Sequence, residues 1–414
     1  MNRMAPNVKP KFSSYEVLVI LILALTQFTV VLDFMVMSPL GDMLMKSMNM
    51  STTQFGLSVS AYAFSAGTSG LLTAGFADRF DRKKLLLFFY IGFIVGTFLC
   101  GISHTFPMLL SARIFTGVFG GVIGSISMAI VTDLFPLEKR GRVMSFLQMG
   151  FGASQVLGIP LSLYIANIWG WQSPFLLIVA IAILICLFIL FKLKPVRDHL
   201  EHKSDRTAVS HLWHTLARRE YRVGFLATAF LSLGGFMMMP WGSAFAINNL
   251  KVTIHELPIL YMFSGFSALL IMPLIGKLSD RFDKFTLFTI ASLILSIVVL
   301  IYTNLGPVPF WFVLIMNLGF MIGIMSRMVP AVALTSALPK KQDRGAFMGI
   351  NSSLQQIAGG FAAALGGMIV IQEDKTSPLQ HYDMLGYLMV ILSAVSIFLL
   401  LRVSKIVKTK KIEQ

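Results

Sequence analysis

Ala77-Asp78-Arg79-Phe80-Asp81-Arg82-Lys83-Lys84, residues 77–84, is a short charged stretch between two long apolar runs. Its core returns as Asp280-Arg281-Phe282-Asp283, 202 positions later and again between two apolar runs. Two further landmarks repeat at nearly the same distance. Arg140-Gly141 recurs as Arg344-Gly345, 204 positions on, and Pro136 recurs as Pro339, 203 positions on. Three landmarks sharing nearly one offset predict a duplicated unit.

Working outward, apolar runs long enough to cross a bilayer, for which ~20 residues suffice, fill both copies. They are placed at 17–41, 55–77, 84–103, 107–134, 142–166, 173–194, 222–248, 257–279, 284–304, 308–337, 344–371 and 383–403. The expected fold is therefore all-α: twelve transmembrane helices in two pseudo-symmetric six-helix bundles. The expected division is an N-terminal bundle over 1–194, a linker over 195–221 and a C-terminal bundle over 222–414. The linker carries His199, His202, His211 and His214, read as solvated residues of a basic loop, and a short interfacial helix is expected around Leu212, Trp213 and Leu216.

Composition agrees. The chain is 56% hydrophobic and 13% charged, with a mean hydropathy of +0.77, whereas a soluble domain carries nearer ~25% charge. The net charge of +15 would suggest nucleic acid in a soluble protein. Here the sidedness of the basic residues argues otherwise. With a cytoplasmic N-terminus, the outer loops hold only Lys46, Lys251 and Lys375. Arg113 and Arg327 fall inside runs, and the other 29 of 34 basic residues fall on the cytoplasmic side. This positive-inside asymmetry predicts a multi-pass protein of the bacterial inner membrane with both termini cytoplasmic. The expected surroundings are lipid, with no nucleic acid partner. Cys100 and Cys186 lie in separate runs and form no disulfide or metal framework. The polar, basic N-terminus does not read as a cleavable signal peptide.

Charge inside the runs points to chemistry. Asp33, in Thr29-Val30-Val31-Leu32-Asp33-Phe34, is the only carboxylate clearly within a run; Asp42 and Asp133 lie at run ends. A carboxylate at such depth costs ~2.5–3.5 kcal/mol on insertion scales and marks function by default. Arg113 is its expected partner. Asp33 lies ~12 Å below the outer end of the first run and Arg113 ~9 Å below that of the fourth, at 1.5 Å per residue. Arg327 lies about midway along the tenth run. It is expected either to bind an anionic or polar solute or to bond backbone carbonyls freed by Pro330. Thr26, Tyr62, Trp241, Asn317, Asn351 and Gln355 complete the candidate solute-facing residues. There is no Walker A motif, no nucleophile or acid–base constellation and no deep histidine. Neither an enzyme nor a cofactor or bound metal is expected.

The loop motifs resemble those of the major facilitator superfamily, and within it the bacterial twelve-helix drug and sugar efflux branch of proton antiporters. That family's loop pattern is Gly-x-x-x-Asp-Arg-x-Gly-Arg-Lys/Arg; this chain has Ala74 and Asp81 where two glycines stand, and Gly276 keeps the first of them in the second copy. The fourth-helix pattern Arg-x-x-x-Gly appears as Arg113-Ile114-Phe115-Thr116-Gly117. The fifth-helix pattern of adjacent Gly-Pro is altered to Gly158-Ile159-Pro160. The resemblance implies secondary transport of a small molecule by alternating access, with Asp33 and Arg113 at a cavity lined by the first and fourth helices. It implies a conformational latch of Asp78, Arg79, Arg82, Asp133, Arg140, Asp280, Arg281 and Arg344. It implies hinges at Gly117, Gly158 and Pro160, protons as the coupling partner and a monomeric chain. Export of a drug, sugar or metabolite is the expected direction. Uptake of a nutrient, or a non-transporting sensor on the same fold, is the alternative, since the fold does not set direction.

Overall fold

The structure is a computed structural model that describes residues 12–73, 80–197, 214–340 and 343–412. Among the described residues, twelve long helical segments run through it. The first six are Ser14–Val36, Thr52–Thr73, Arg82–Gly101, Phe106–Leu134, Leu137–Trp169 and Ser173–Lys192. The second six are Arg219–Asn248, Leu257–Arg281, Lys284–Thr303, Phe310–Thr335, Arg344–Ile369 and Tyr382–Ile412. Among the described residues the β pairing is one isolated bridge, Ile371 to Gln380.

Each apolar run finds its helix, with local departures. The first ends at Val36 and is followed by a short helix, Gly41–Met48, stopped by Asn49 in the left-handed region at φ 53°. The fifth contains a π-helical turn, Ser154–Gly158, just before Pro160. The seventh breaks into a 3₁₀ turn, Met239–Trp241, at Pro240. Proline cannot donate to the helical ladder, and each break lies where that donor is missing.

Ten of the twelve are long and apolar enough to cross a membrane by length and composition. The second and eleventh, at 22 and 26 residues, have the length but are diluted by Gly, Ser and Thr. The reason is visible in their packing, since these two run against each other across the halves. A Cβ on Gly56 would meet the Ala363 carbonyl at 2.7 Å, and one on Gly67 the Ser353 carbonyl at 2.9 Å. Thr52 and Thr53 hydroxyls donate to Val370 O (2.6 Å) and Gly367 O (2.8 Å). Small residues allow this approach and hydroxyls hold it, as lipid supplies no hydrophobic drive between helices. The fifth and eighth spans form the other seam, with Gly265 against Gln155 O.

The side away from the chain ends is closed. Ser243 donates to Ser38 O (2.8 Å), Asn248 to Asp42 Oδ1 (2.7 Å), and Lys46 ion-pairs with Asp42 (2.8 Å). Phe55 and Trp241 meet edge-to-face at 5.4 Å beneath these contacts.

On the side that carries the chain ends, the repeated loop motif acts locally. Asp81 caps the third span by accepting from Lys83 N (2.9 Å), and it also accepts from Val196 N (3.3 Å) and Arg197 Nε (2.7 Å). Arg82 N reaches Val196 O at 3.1 Å. The stretch after the sixth span is thus fastened to the loop before the third. Asp283 repeats the arrangement, capping Thr286 N (3.0 Å) and pairing with Lys408 (2.9 Å) at the end of the twelfth span. Burial alone would push the Asp81 carboxyl up. The bonds from Arg197 and the two amides outweigh it and hold the group below the usual carboxylate range. A depressed folded pKa stabilises above the unfolded value, and the gain is lost as pH falls through the folded one. Asp81→Ala is therefore expected to cost about 1–2 kcal/mol near neutral pH. The difference from wild type should vanish once pH falls below the folded pKa. Denaturant unfolding in detergent across pH measures it, and a pH-independent difference would contradict this role.

Candidate functional site

Asp33 and Arg113 meet in the middle of the first half, both wholly buried. Arg113 Nη1 donates to Asp33 Oδ2 at 2.9 Å, and Thr97 Oγ1 donates to Asp33 Oδ1 at 3.1 Å. The guanidinium lies 4.4 Å from the centre of the Tyr62 ring. Tyr62 in turn packs on Phe34 at 5.3 Å, and Phe34 meets Phe236 of the other half at 6.0 Å.

Close helix packing brings these groups together. A Cβ on Gly96 of the third span would meet Thr116 Oγ1 at 2.5 Å, so the third and fourth spans touch beside Arg113. A Cβ on Gly117 would meet Tyr62 O at 2.5 Å, and one on Gly121 would meet the Ala66 backbone. The glycines of the fourth span thus admit the second span and set the Tyr62 ring over Arg113.

Two donors of the guanidinium, Nε and Nη2, have no hydrogen-bond partner among the described residues. The site is therefore a buried ion pair with one supporting hydroxyl and spare donor capacity. Burial charges such a pair with the desolvation of both ions, so it is stable only while both charges are present. An event that neutralises one partner changes the balance of the whole cluster.

The other predicted residues are dispersed. Thr26 is fully buried and donates to Ile22 O (2.8 Å); Thr29, on the same face, meets Tyr90 OH at 2.9 Å. Trp241 is fully buried at the far-side seam, packed on Phe55 and Gly366. Asn317 is hydrogen-bonded by Ser264 of the eighth span. Asn351 and Gln355 are partly exposed on the eleventh span, and Asn351 Oδ1 lacks a hydrogen-bond partner among the described residues. Arg327 is 2% exposed and donates to Ser393 Oγ (2.8 Å) of the twelfth span and Leu231 O (3.4 Å) of the seventh. The carbonyl it bonds belongs to a neighbouring helix, not to the turn before Pro330. Gly117 lies in an unbroken helix, while Gly158 closes the π-helical turn and packs on Leu32.

The repeat sharpens the picture. The 204-residue offset that relates Arg140 to Arg344 also relates Arg113 to Asn317. The second half thus holds a neutral hydrogen bond where the first holds an ion pair.

Of the expected latch, Asp78 and Arg79 lie outside the described residues, as does the side chain of Asp280. Arg82 pairs with Asp133 at 3.1 Å. Arg140 donates to Phe135 O (2.8 Å) and Thr132 O (2.7 Å), capping the fourth span. Arg281 and Arg344 are exposed. These contacts lie within one half. Of the linker histidines, His199, His202 and His211 lie outside the described residues, as do Leu212 and Trp213; His214 Nε2 meets Arg218 Nη2 at 3.3 Å.

Sequence reading missed a second repeated device. Lys139 pairs with Glu16 at 2.8 Å, and its counterpart 204 residues on, Asp343, pairs with Arg218 at 3.1 Å and accepts from Tyr221 OH at 2.8 Å. Each pair ties the start of a half to its fourth-to-fifth loop, with the charges exchanged. The offset found from the loop motifs would have aligned Lys139 with Asp343, but no rule of spacing names their partners.

The family profile of the Major Facilitator Superfamily matches residues 23–363 and 225–413. Over 129 residues, 31% of this chain, the sequence is 36% identical to Multidrug resistance protein 3 of Bacillus subtilis (strain 168), of which it spans only 25%. It is 24% identical to a probable sugar efflux transporter of Helicobacter pylori (strain ATCC 700392 / 26695), over 75% of this chain and 79% of that one. In structure it resembles a D-xylose-proton symporter with a TM-score of 0.78 at 18% identity, covering 94% of this chain and 97% of that one.

Proposed function

The chain belongs to the Major Facilitator Superfamily, and from that membership we propose that it exports a small amphipathic solute in exchange for protons. Two bundles, 1–194 and 222–414, joined by 195–221, rock about the seams of the second with the eleventh and the fifth with the eighth spans. The observation that carries the coupling is the buried Asp33–Arg113 pair at 2.9 Å.

A proton arriving from outside neutralises Asp33 and removes the counter-ion of Arg113. The guanidinium then has donors to offer a polar group of the solute, while Tyr62, Phe34 and Phe236 offer aromatic surface to its apolar part. Proton and solute favour different states of one bistable structure, and that difference is what couples them. The Arg82–Asp133 pair and the capped loops at the terminus side hold helix ends in one state and release them in the other. On this reading the chain works as a monomer in the bacterial inner membrane, with both ends cytoplasmic and without a cofactor, catalytic step or nucleic acid partner. Names of relatives support the direction, since one is a multidrug resistance protein and another a probable sugar efflux transporter.

The test is flux in proteoliposomes under an imposed pH gradient, with a panel of cationic drugs, sugars and metabolites. Movement of a solute against the proton flow and up its own gradient is expected. Movement in the same direction as the protons would make the chain a symporter, and flux indifferent to pH a uniporter.

A further inference from the structure

We propose that Arg327 and Ser393 form an anion site between the seventh, tenth and twelfth spans, and that the carboxylate of an organic-acid solute occupies it. The identity of the occupant rests on the export reading above; the site itself does not.

The charge of Arg327 is uncompensated. The side chain is 2% exposed, and its bonds run from Nη1 to Ser393 Oγ (2.8 Å) and from Nη2 to Leu231 O (3.4 Å). Both acceptors are neutral, and Arg327 joins no ion pair among the described residues. Arg113 in the first half, by contrast, has Asp33 at 2.9 Å. A lone cation inside a span is expensive, and such residues mark the paths of solutes and ions. The fold does not demand one here. The 204-residue offset that relates Arg113 to Asn317 relates Ile123 to Arg327, and Ile123 is wholly buried. An aliphatic side chain thus fills the corresponding place in the first half.

Donors outnumber acceptors around the charge. Arg327 Nε donates to nothing among the described residues. Ser393, 3% exposed, accepts from Arg327, and its own O–H finds no acceptor among them. Nε and Nη2 share one edge of the planar guanidinium. A carboxylate is the group whose two oxygens match such an edge.

There is room for it. Gly234 of the seventh span faces Nη2. A Cβ there would lie at ordinary contact distance, 3.5 Å from Arg327 Nη2, 3.7 Å from Leu392 Cβ and 3.9 Å from Met389 Cγ. The missing side chain therefore leaves an atom-sized notch with apolar walls and a cationic floor. Beside it, Gly235 is partly exposed, and a Cβ there would meet nothing within 4 Å. Open space thus adjoins the notch on the seventh span.

The experiment is the unfolding midpoint of the full chain in detergent, titrated at fixed pH with sodium acetate, acetamide or sodium chloride. Acetate is expected to raise the midpoint saturably, because a ligand that binds only the folded chain stabilises it by mass action. Acetamide, of the same shape but neutral, is expected not to. Gly234→Ala fills the notch with a methyl group, keeps both bonds of Arg327 and favours the helix. It should fold and lose the acetate response, as should Arg327→Gln. Ser393→Ala should weaken acetate about ten-fold, the effect of one hydrogen bond to a charged group. The response should persist in Asp33→Asn, since no proton gradient enters the measurement; a failure of proton coupling and a failure of the site are thereby told apart. Equal responses of the wild type to acetate and acetamide, or of the wild type and Gly234→Ala to acetate, would overturn the site. Tighter binding of chloride than of acetate would overturn the assignment to a solute, because the site would then hold a free inorganic ion.

Discussion

Asp33→Asn is expected to abolish uphill transport driven by a pH gradient. Asparagine keeps the shape of the side chain: its one amide oxygen can accept from Arg113, which donates to Asp33 at 2.9 Å, and the Thr97 hydroxyl, which donates to the other carboxylate oxygen at 3.1 Å, can turn to accept from the amide NH2. It cannot gain or lose a proton, so the charge of the cluster no longer differs between states. Coupling needs that difference, because a ligand shifts a conformational equilibrium only through unequal affinity for the two states. The measurement is solute flux in proteoliposomes with the Asn variant under the gradient that drives the wild type. Downhill exchange of a neutral solute should survive. Asp33→Glu, which restores a titratable group one methylene longer, should recover part of the uphill rate. Uphill flux at the wild-type rate in the Asn variant would remove Asp33 from the coupling step.

Arg113→Ala is expected to be the most destabilising single change in the site. It strands a fully buried carboxylate with one hydroxyl donor, and breaking such a pair typically costs about 3–5 kcal/mol. It also empties the space beneath Tyr62, whose ring now covers the guanidinium at 4.4 Å. The pair can be separated from the cavity by a second variant. Asp33→Asn combined with Arg113→Leu removes both charges and refills the volume, and it should be markedly more stable than Arg113→Ala alone while remaining unable to couple. Denaturant unfolding in detergent compares the three proteins. Equal stability of Arg113→Ala and wild type would mean that the pair contributes nothing to the fold.

The partnership of Asp33 and Arg113 was legible in the sequence because two constraints converge there. A charge inside an apolar run must find a partner, and equal depth along two helices of known rise limits the choice to a few positions. Thr97 and the Tyr62 ring position were not legible, since they depend on how closely the second, third and fourth spans approach at Gly96, Gly117 and Gly121. Trp241 was read as facing a solute but lies sealed in the far-side seam. Its amphipathic ring suits either place, and only the packing of the second span against the eleventh selects one. Of the two partners expected for Arg327, the carbonyls freed by Pro330 are not the ones it bonds, since its bonds run sideways to Ser393 and Leu231. The direction of a long side chain off a helix follows from its neighbours, which lie far away in sequence.

The Asp81 substitution makes the same point from the other direction. In the loop motif it stands where the resembled pattern has glycine, and the sequence offers only the departure. In the folded chain its carboxylate caps the third span and binds Arg197, 116 residues on. The cap is a local matter of an acceptor just before a helix and could be read from the chain. The partner could not.

By itself, then, the sequence determined the number of crossings, their order, the side that carries the basic loops and the duplication of one six-helix unit. Hydrocarbon imposes these directly, since it demands ~20 apolar residues per crossing and penalises charge at depth. The tertiary structure decided which small-residue faces meet across the halves and which hydroxyl and ring complete the buried ion pair. Those outcomes depend on interhelical distances of a few ångströms, and such distances are set jointly by side chains that periodicity along one helix does not connect.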